Sequence, residues 1–297
     1  MDLPFRLLNV FGIEGDPFSG NPLAVFPDAA ELSGAQMQSW ARQLNLSETT
    51  FVTAVDRDTR SAQVRIFTPS YEMPFAGHPT LGTAHVVAGL IGSLVDSSEL
   101  GSRAALPDAV SLSMPAGRIP VRRVDQTWRL SAGTPSFRSP SVTRDELART
   151  LGLPVEAVAA GGTRLVNVGV EQAIVRLESA EAVRACSPDV SLMYQHLGDV
   201  GPAPHVYVWA YTGEATVEAR LFAASGGSLD EDPATGSACS NLGGWLVGEG
   251  VSGIRLEVSQ GAAVGRPSRL ILTVDDDGGI HVAGRVVEVG SGTMHVR

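Results

Sequence analysis

Apolar positions along this chain fall into short runs. "LAVF" (23–26), "TTFVTAV" (49–55), "AQVRIF" (62–67) and "RIPVRRV" (118–124) come first. "RLVNVGV" (164–170), "QAIVRL" (172–177), "HVYVWAY" (205–211), "TVEARLF" (216–222), "RLEVS" (255–259) and "RLILTV" (269–274) follow. Most are bounded by Gly, Pro or Asp, which is how β-strands are punctuated. Two segments break the pattern: "TLGTAHVVAGLI" (80–91) and "ATGSACSNLGGWLVG" (234–248) are apolar or small at every helical position. Such a segment predicts a helix buried on all sides. Two further helices are announced by capping boxes, Ser33-x-x-Gln36 and Thr143-x-x-Glu146. The pattern as a whole predicts an α+β chain in two strand-rich halves, each a curved sheet wrapped around one central helix.

The halves are related. "RIFTPSYEMPFAGHPTLGTAHVV" (65–87) aligns with "RLFAASGGSLDEDPATGSACSNL" (220–242) at an offset of about 154 residues, half the chain. The frame sets His78 against Asp232, Pro79 against Pro233, Gly82 against Gly236, Thr83 against Ser237 and Ala84 against Ala238. A repeat of that length is of domain size, too long for a solenoid unit. Pro favours the first helical position, which makes the preceding residue the N-cap, and Asp232 is a good cap where His78 is a poor one. Helix N-termini present unpaired N–H groups at the positive end of a dipole, and small residues leave them approachable by a carboxylate. Taken alone, "DPATGSA" needs no more than capping. It is the sharing of one frame by His78 and Asp232 that points to a site.

Composition narrows the chemistry. All 22 basic residues are arginine, so pyridoxal Schiff-base and P-loop chemistry, which need a lysine amine, are excluded. The six histidines form no HExxH or HxxxH spacing, and Cys186 and Cys239 form no CxxC. We therefore expect chemistry without a bound cofactor or metal. A net charge of −10 with dispersed arginines argues against nucleic acid. With neither a secretory leader nor a membrane-length apolar run visible, a cytoplasmic location is expected. Arg65 and Arg220 open the two repeats; pairing with local carboxylates is the simpler expectation for each, although both have the chemistry to bind an anion. Gly20-Asn21-Pro22 and "QGAAVGRPS" (260–268) carry turn chemistry. Glu48, flanked by Leu46 and Phe51 in "LNLSETTFV", is either a solvated loop carboxylate or a core-edge group raised toward a general base's range by desolvation. Sequence physics leaves both readings open.

Several long motifs, "GDPFSGNPLAVF", "LNLSETTFV", "RIFTPSYEMPFAGHPTLGTAHVV", "DEDPATGSACSNLGGWL" and "SQGAAVGRPSRL", resemble the PhzF-type phenazine-biosynthesis isomerase family, in order and across nearly the whole chain. The resemblance implies a diaminopimelate-epimerase-like fold. Its halves would be residues 1–130, completed by the C-terminal strand 284–297, and residues 131–283, with the active site in the cleft between them. It implies a homodimer, a small anionic substrate and no membrane. The family's catalytic residues fall on Glu48, His78 and Asp232, and the loop positions that hold the substrate carboxylate fall on Gly77, Gly236 and Ser237. Related epimerases use two opposed cysteines; here the first-half loop has none, which points away from two-thiol chemistry.

The activity implied is a cofactor-independent proton shift on an amino-acid-like or cyclic carboxylic acid, in a biosynthetic process. Glu48 would take the proton while His78 and Asp232 orient the substrate or relay protons. A non-catalytic binding or scaffolding homologue, and a hydrolase or lyase using the same carboxylate, are the alternatives.

Overall fold

The computed structural model describes residues 2–92, 106–201 and 203–295, and its chain divides into two units, Met1–Leu130 with Ala283–Arg297, and Ser131–Val282. In the first unit the elements run β1 (Asp2–Val10), β2 (Asn21–Phe26), α1 (Gly34–Leu44), β3 (Glu48–Asp56), β4 (Ser61–Phe67), β5 (Glu72–Met73), α2 (Gly77–Gly92), β6 (Ala109–Met114), β7 (Gly117–Val124) and β8 (Thr127–Ser131). Neighbouring strands are antiparallel except β2 with β3 and β4 with β6. The C-terminal strand Val286–His295 lies antiparallel along β1, from Asp2↔His295 to Val10↔Val286.

The second unit contains β9 (Ser136–Arg138), α3 (Arg144–Thr150), β10 (Val158–Asn167), β11 (Glu171–Leu177), α4 (Ala180–Ala185) and α5 (Val190–Leu197). Then come β12 (His205–Gly213), β13 (Thr216–Ser225), β14 (Ser228–Asp232), α6 (Gly236–Gly248), β15 (Ile254–Gln260), β16 (Ser268–Val274) and β17 (Ile280–Gly284); the C-terminal strand is β18. Its pairings repeat those of the first unit, with β11 parallel to β12 and β13 parallel to β15. In both units the second strand of a hairpin is followed by a buried helix, and the next strand then joins that hairpin in parallel.

Burial explains the sequence pattern. Thr50 and Phe51 on β3 point to opposite faces, the first bonding Thr83 of α2 at 2.8 Å and the second joining Phe26, Met37 and Ala41 beneath α1. With helices on both faces, β2 and β3 are buried without a break over 23–26 and 49–52, where an uncovered strand would alternate. Outer strands such as β6 and β16 do alternate buried and half-buried positions. The Phe26 and Phe51 rings stack at 4.9 Å, and Phe67 meets Phe51 edge-on at 5.6 Å. The matching face of the second unit is covered by α3, α4 and α5 over β10 to β13.

Both expected capping boxes are formed, at Ser33 with Gln36 and at Thr143 with Glu146. α2 and α6 are buried along most of their length, as their all-round apolar sequences predict. Arg65 grips Glu72 through two bonds of 2.7 and 2.6 Å, and Arg220 grips Glu231 through two of 3.0 and 2.7 Å. Each guanidinium also lies over the aromatic ring two residues on, Phe67 or Phe222. Both arginines thus serve their hairpins. The segment "RLVNVGV" stops being a strand at Asn167, where a bend over 168–170 is held by side chains described below.

Candidate functional site

The six candidate residues form two groups, one in each unit. In the first, Glu48 opens β3 directly after α1, whose chain reverses at left-handed Asn45 (φ 52°). β3 lies parallel to β2 with Glu48 beside Leu23, so the carboxylate sits at the edge of the core with only 16% of its side chain exposed. Glu48 Oε2 is 3.3 Å from His78 Nδ1. His78 is buried, and desolvation pushes its imidazole down to about 3, against a smaller opposing effect of a hydrogen bond with the Pro22 backbone. The ring is therefore neutral near neutral pH, its one N–H donates to the Pro22 carbonyl, and Nδ1 stands in close polar contact with Glu48 Oε2.

His78 is not a cap. α2 already begins at Gly77, where Thr80 N–H donates to Ala76 O at 3.3 Å and Thr80 Oγ1 donates to the same carbonyl at 2.6 Å. His78 is thus the second helical residue and Pro79 the third. Gly77 places its backbone N–H at the helix start.

In the second unit Asp232 is not a cap either. It is the last residue of β14, paired with Leu221 of β13. The N-cap of α6 is Thr235, and Cys239 N–H donates to Thr235 O at 3.0 Å. Pro233 therefore lies in the approach to the helix, outside it. Strand pairing carries the chain through Asp232, and a buried amide then fixes the turn: Gln260 Nε2 donates to Asp232 O at 2.8 Å and to Thr235 Oγ1 at 3.0 Å, while Gln260 Oε1 accepts from Thr235 N–H at 3.3 Å. The Thr235 hydroxyl in turn donates to Asp232 Oδ2. Gly261, next along, needs its positive φ of 81°, and a Cβ there would overlap the carbonyl oxygens of Pro233 and Arg266. The turn chemistry read in "QGAAVGRPS" thus presses against the "DPAT" loop.

Gly236 and Ser237 form the first turn of α6, ahead of the first intrahelical bond, where N–H groups are available to an anion. Ser237 is half-buried and its Oγ accepts from Gln172 Nε2 at 3.3 Å. Cys239 is wholly buried, and burial pushes its thiol well above the ordinary range, so it is a core residue rather than a proton carrier. Among the described residues no cluster of three His, Cys, Asp or Glu side chains has metal-binding geometry, and no helix is long and apolar enough to cross a membrane.

A family profile described as "Phenazine biosynthesis-like protein" matches residues 10–292. The chain belongs to that family. Among its relatives, an uncharacterized isomerase of Pasteurella multocida is 36% identical, over 98% of this chain and 94% of the relative. Trans-2,3-dihydro-3-hydroxyanthranilate isomerase of Pseudomonas aeruginosa is 34% identical, over 92% of this chain and 91% of its own. The crystal structure of a Bacillus anthracis phenazine biosynthesis protein of the PhzF family superimposes with a TM-score of 0.81 at 23% identity, covering all of both chains. A probable proline racemase from Agrobacterium radiobacter shares the fold, with a TM-score of 0.58 at 11% identity over 99% of this chain and 93% of its own. The fold is therefore the α+β architecture shared by phenazine biosynthesis-like proteins and these racemases, and the enzyme class is isomerase.

The phenazine biosynthesis-like motifs cover every site candidate and three of the groups that hold them, Thr235, Asn241 and Gln260, but not Gln172. Gln172, Asn241, Thr235 and Gln260 are all buried polar residues that sequence reading did not single out. The available signal was weak: amides and a hydroxyl inside otherwise apolar or small-residue segments, which must find partners if buried.

Proposed function

We propose that this isomerase shifts a proton within a small carboxylic acid without a cofactor, with Glu48 as the base. The observation that carries the proposal is the contact of Glu48 with a buried, neutral His78 at the start of α2. A carboxylate at the core edge, packed against a neutral imidazole, is suited to take a proton from carbon next to an activating group. Burial opposes an imidazolium at His78, so its role is to orient Glu48 and a polar substituent of the substrate, not to store a positive charge. In the second unit Asp232 binds an amino or hydroxyl group of the substrate, and Gly236 and Ser237, like Gly77 in the first, offer hydrogen bonds to its carboxylate.

The substrate class follows from these donors: a small anion carrying a carboxylate and a second polar group. Trans-2,3-dihydro-3-hydroxyanthranilate, the substrate in the relative's name, has this chemistry and is the first compound to test. In D2O, wild-type protein is expected to incorporate solvent deuterium during turnover, and Glu48→Gln to abolish incorporation while still binding. Deuterium exchange persisting in Glu48→Gln would end the assignment; binding without turnover by wild type would mark a ligand-binding protein. A homodimer in the cytoplasm belongs to the same proposal. The buried free thiols of Cys186 and Cys239 suit a reducing compartment, and light scattering at working concentration tests the dimer.

A further inference from the structure

Behind the first turn of α6 lies a chain of side-chain amides whose direction is set by the backbone. Asn241 Oδ1 accepts from Val168 N–H at 3.0 Å, and Asn241 Nδ2 donates to Val170 O at 2.8 Å. A backbone N–H can only donate and a carbonyl can only accept, so the Asn241 amide has one possible orientation. Its Nδ2 also donates to Gln172 Oε1 at 2.8 Å. Gln172 must therefore turn its own oxygen toward Asn241 and its nitrogen away, and Nε2 meets Ser237 Oγ at 3.3 Å. Asn241 is fully buried and Gln172 is 2% exposed, so water does not compete for these groups.

We infer that Asn241 and Gln172 are positioning residues that make Ser237 a hydrogen-bond donor to the substrate's carboxylate. With its oxygen engaged by the Gln172 amide, the Ser237 hydroxyl keeps its proton for another partner, and no acceptor for it occurs among the described residues. The hydroxyl stands in the first turn of α6, half-buried, beside the N–H groups of residues 236–238. A donor held in place by buried amides costs little to reorganise when an anion arrives. Asn241 also ties down the bend 168–170, so one network holds both the hydroxyl and that bend. Neighbouring Ser240, by contrast, donates back to Gly236 O at 3.0 Å, the ordinary use of a serine inside a helix.

The inference rests on the small-carboxylate reading of the site, and its test separates the two. Gln172→Glu keeps shape and, in its ionised form, replaces the NH2 by an oxygen that can only accept, so Ser237 would turn its proton inward. The probes are benzoate and its neutral counterpart benzamide, followed by calorimetry. Wild type is expected to prefer benzoate; Gln172→Glu and Ser237→Ala should each weaken benzoate about tenfold while changing benzamide little. The double variant should be no worse than either single one. In 15N spectra without ligand, the Gln172 side-chain NH2 pair should be resolved, slow to exchange and shifted by Ser237→Ala. A Gln172→Glu protein that folds and binds benzoate as wild type does, or a Gln172 NH2 pair insensitive to Ser237→Ala, overturns the relay. Wild type showing no preference for benzoate overturns the carboxylate reading and this inference together.

Discussion

His78 shows how burial alone can assign a protonation state. Its ordinary value of 6.5 in the unfolded chain falls to about 3 in the fold, so between those values the unfolded chain binds a proton that the folded one refuses. Stability is whole above the unfolded value and declines as pH falls toward the folded one. Going from about pH 7 to about pH 5 should cost about 2 kcal/mol through this group. His78→Gln, which cannot titrate, should lack that share; equal losses for wild type and variant in urea denaturation at the two pH values would show that His78 is not buried neutral. Glu48 and His78 stand 30 positions apart in sequence, and no local rule pairs them. Parallel β2 and β3 and the α2 start bring them to 3.3 Å.

At the scale of elements, α2 separates two glycines that look alike in sequence. A Cβ on Gly82 would overlap Leu23 Cδ2 and lie 3.0 Å from Val10 Cγ2, both in side chains with no exposed surface, whereas one on Gly89 would meet nothing within 4 Å. Gly82→Ala should therefore destabilise by about 1–3 kcal/mol through overpacking, and Gly89→Ala should stabilise by about 0.5–1 kcal/mol through lower backbone entropy in the unfolded chain. Thermal unfolding of the two variants should move in opposite directions. The capping boxes at Ser33 and Thr143 were legible because both partners lie within one turn. Asp232-Pro233 misled for the same reason: locally it is a good helix start, but pairing of β14 with β13 and the grip of Gln260 on Thr235 delay the helix to Gly236.

For the whole molecule, chain order and unit membership diverge at the C-terminus. β18 covers β1 along its full length and belongs with the first unit, while residues 131–282 form a continuous second unit. Truncation after Gly284 would strip β1 of one of its two neighbours. Hydrogen exchange should then show loss of protection in β1 with β10 to β13 unaffected, and Tm should fall by about 5 °C or more. Uniform loss of protection across both units would mean that they unfold as one. Neither β1 nor β18 was marked by apolar periodicity: β1 contains Pro4, and "VVEVGSGTMH" is rich in Gly and polar residues. Such strands are made by their partners.

By itself the sequence determined the features that depend on neighbours along the chain: apolar strand runs, two all-round apolar helices, two capping boxes, the repeated frame at about 154 residues, and motifs specific enough to imply the family. Tertiary structure alone decided what depends on groups distant in sequence. It settled where α2 and α6 begin, which residue touches Glu48, that Arg65 and Arg220 hold hairpins, and which buried amides orient Asp232 and Ser237. The physical reason is that a buried hydrogen bond or a desolvated imidazole is defined by everything packed around it, and those surroundings arrive from strands far apart in the chain.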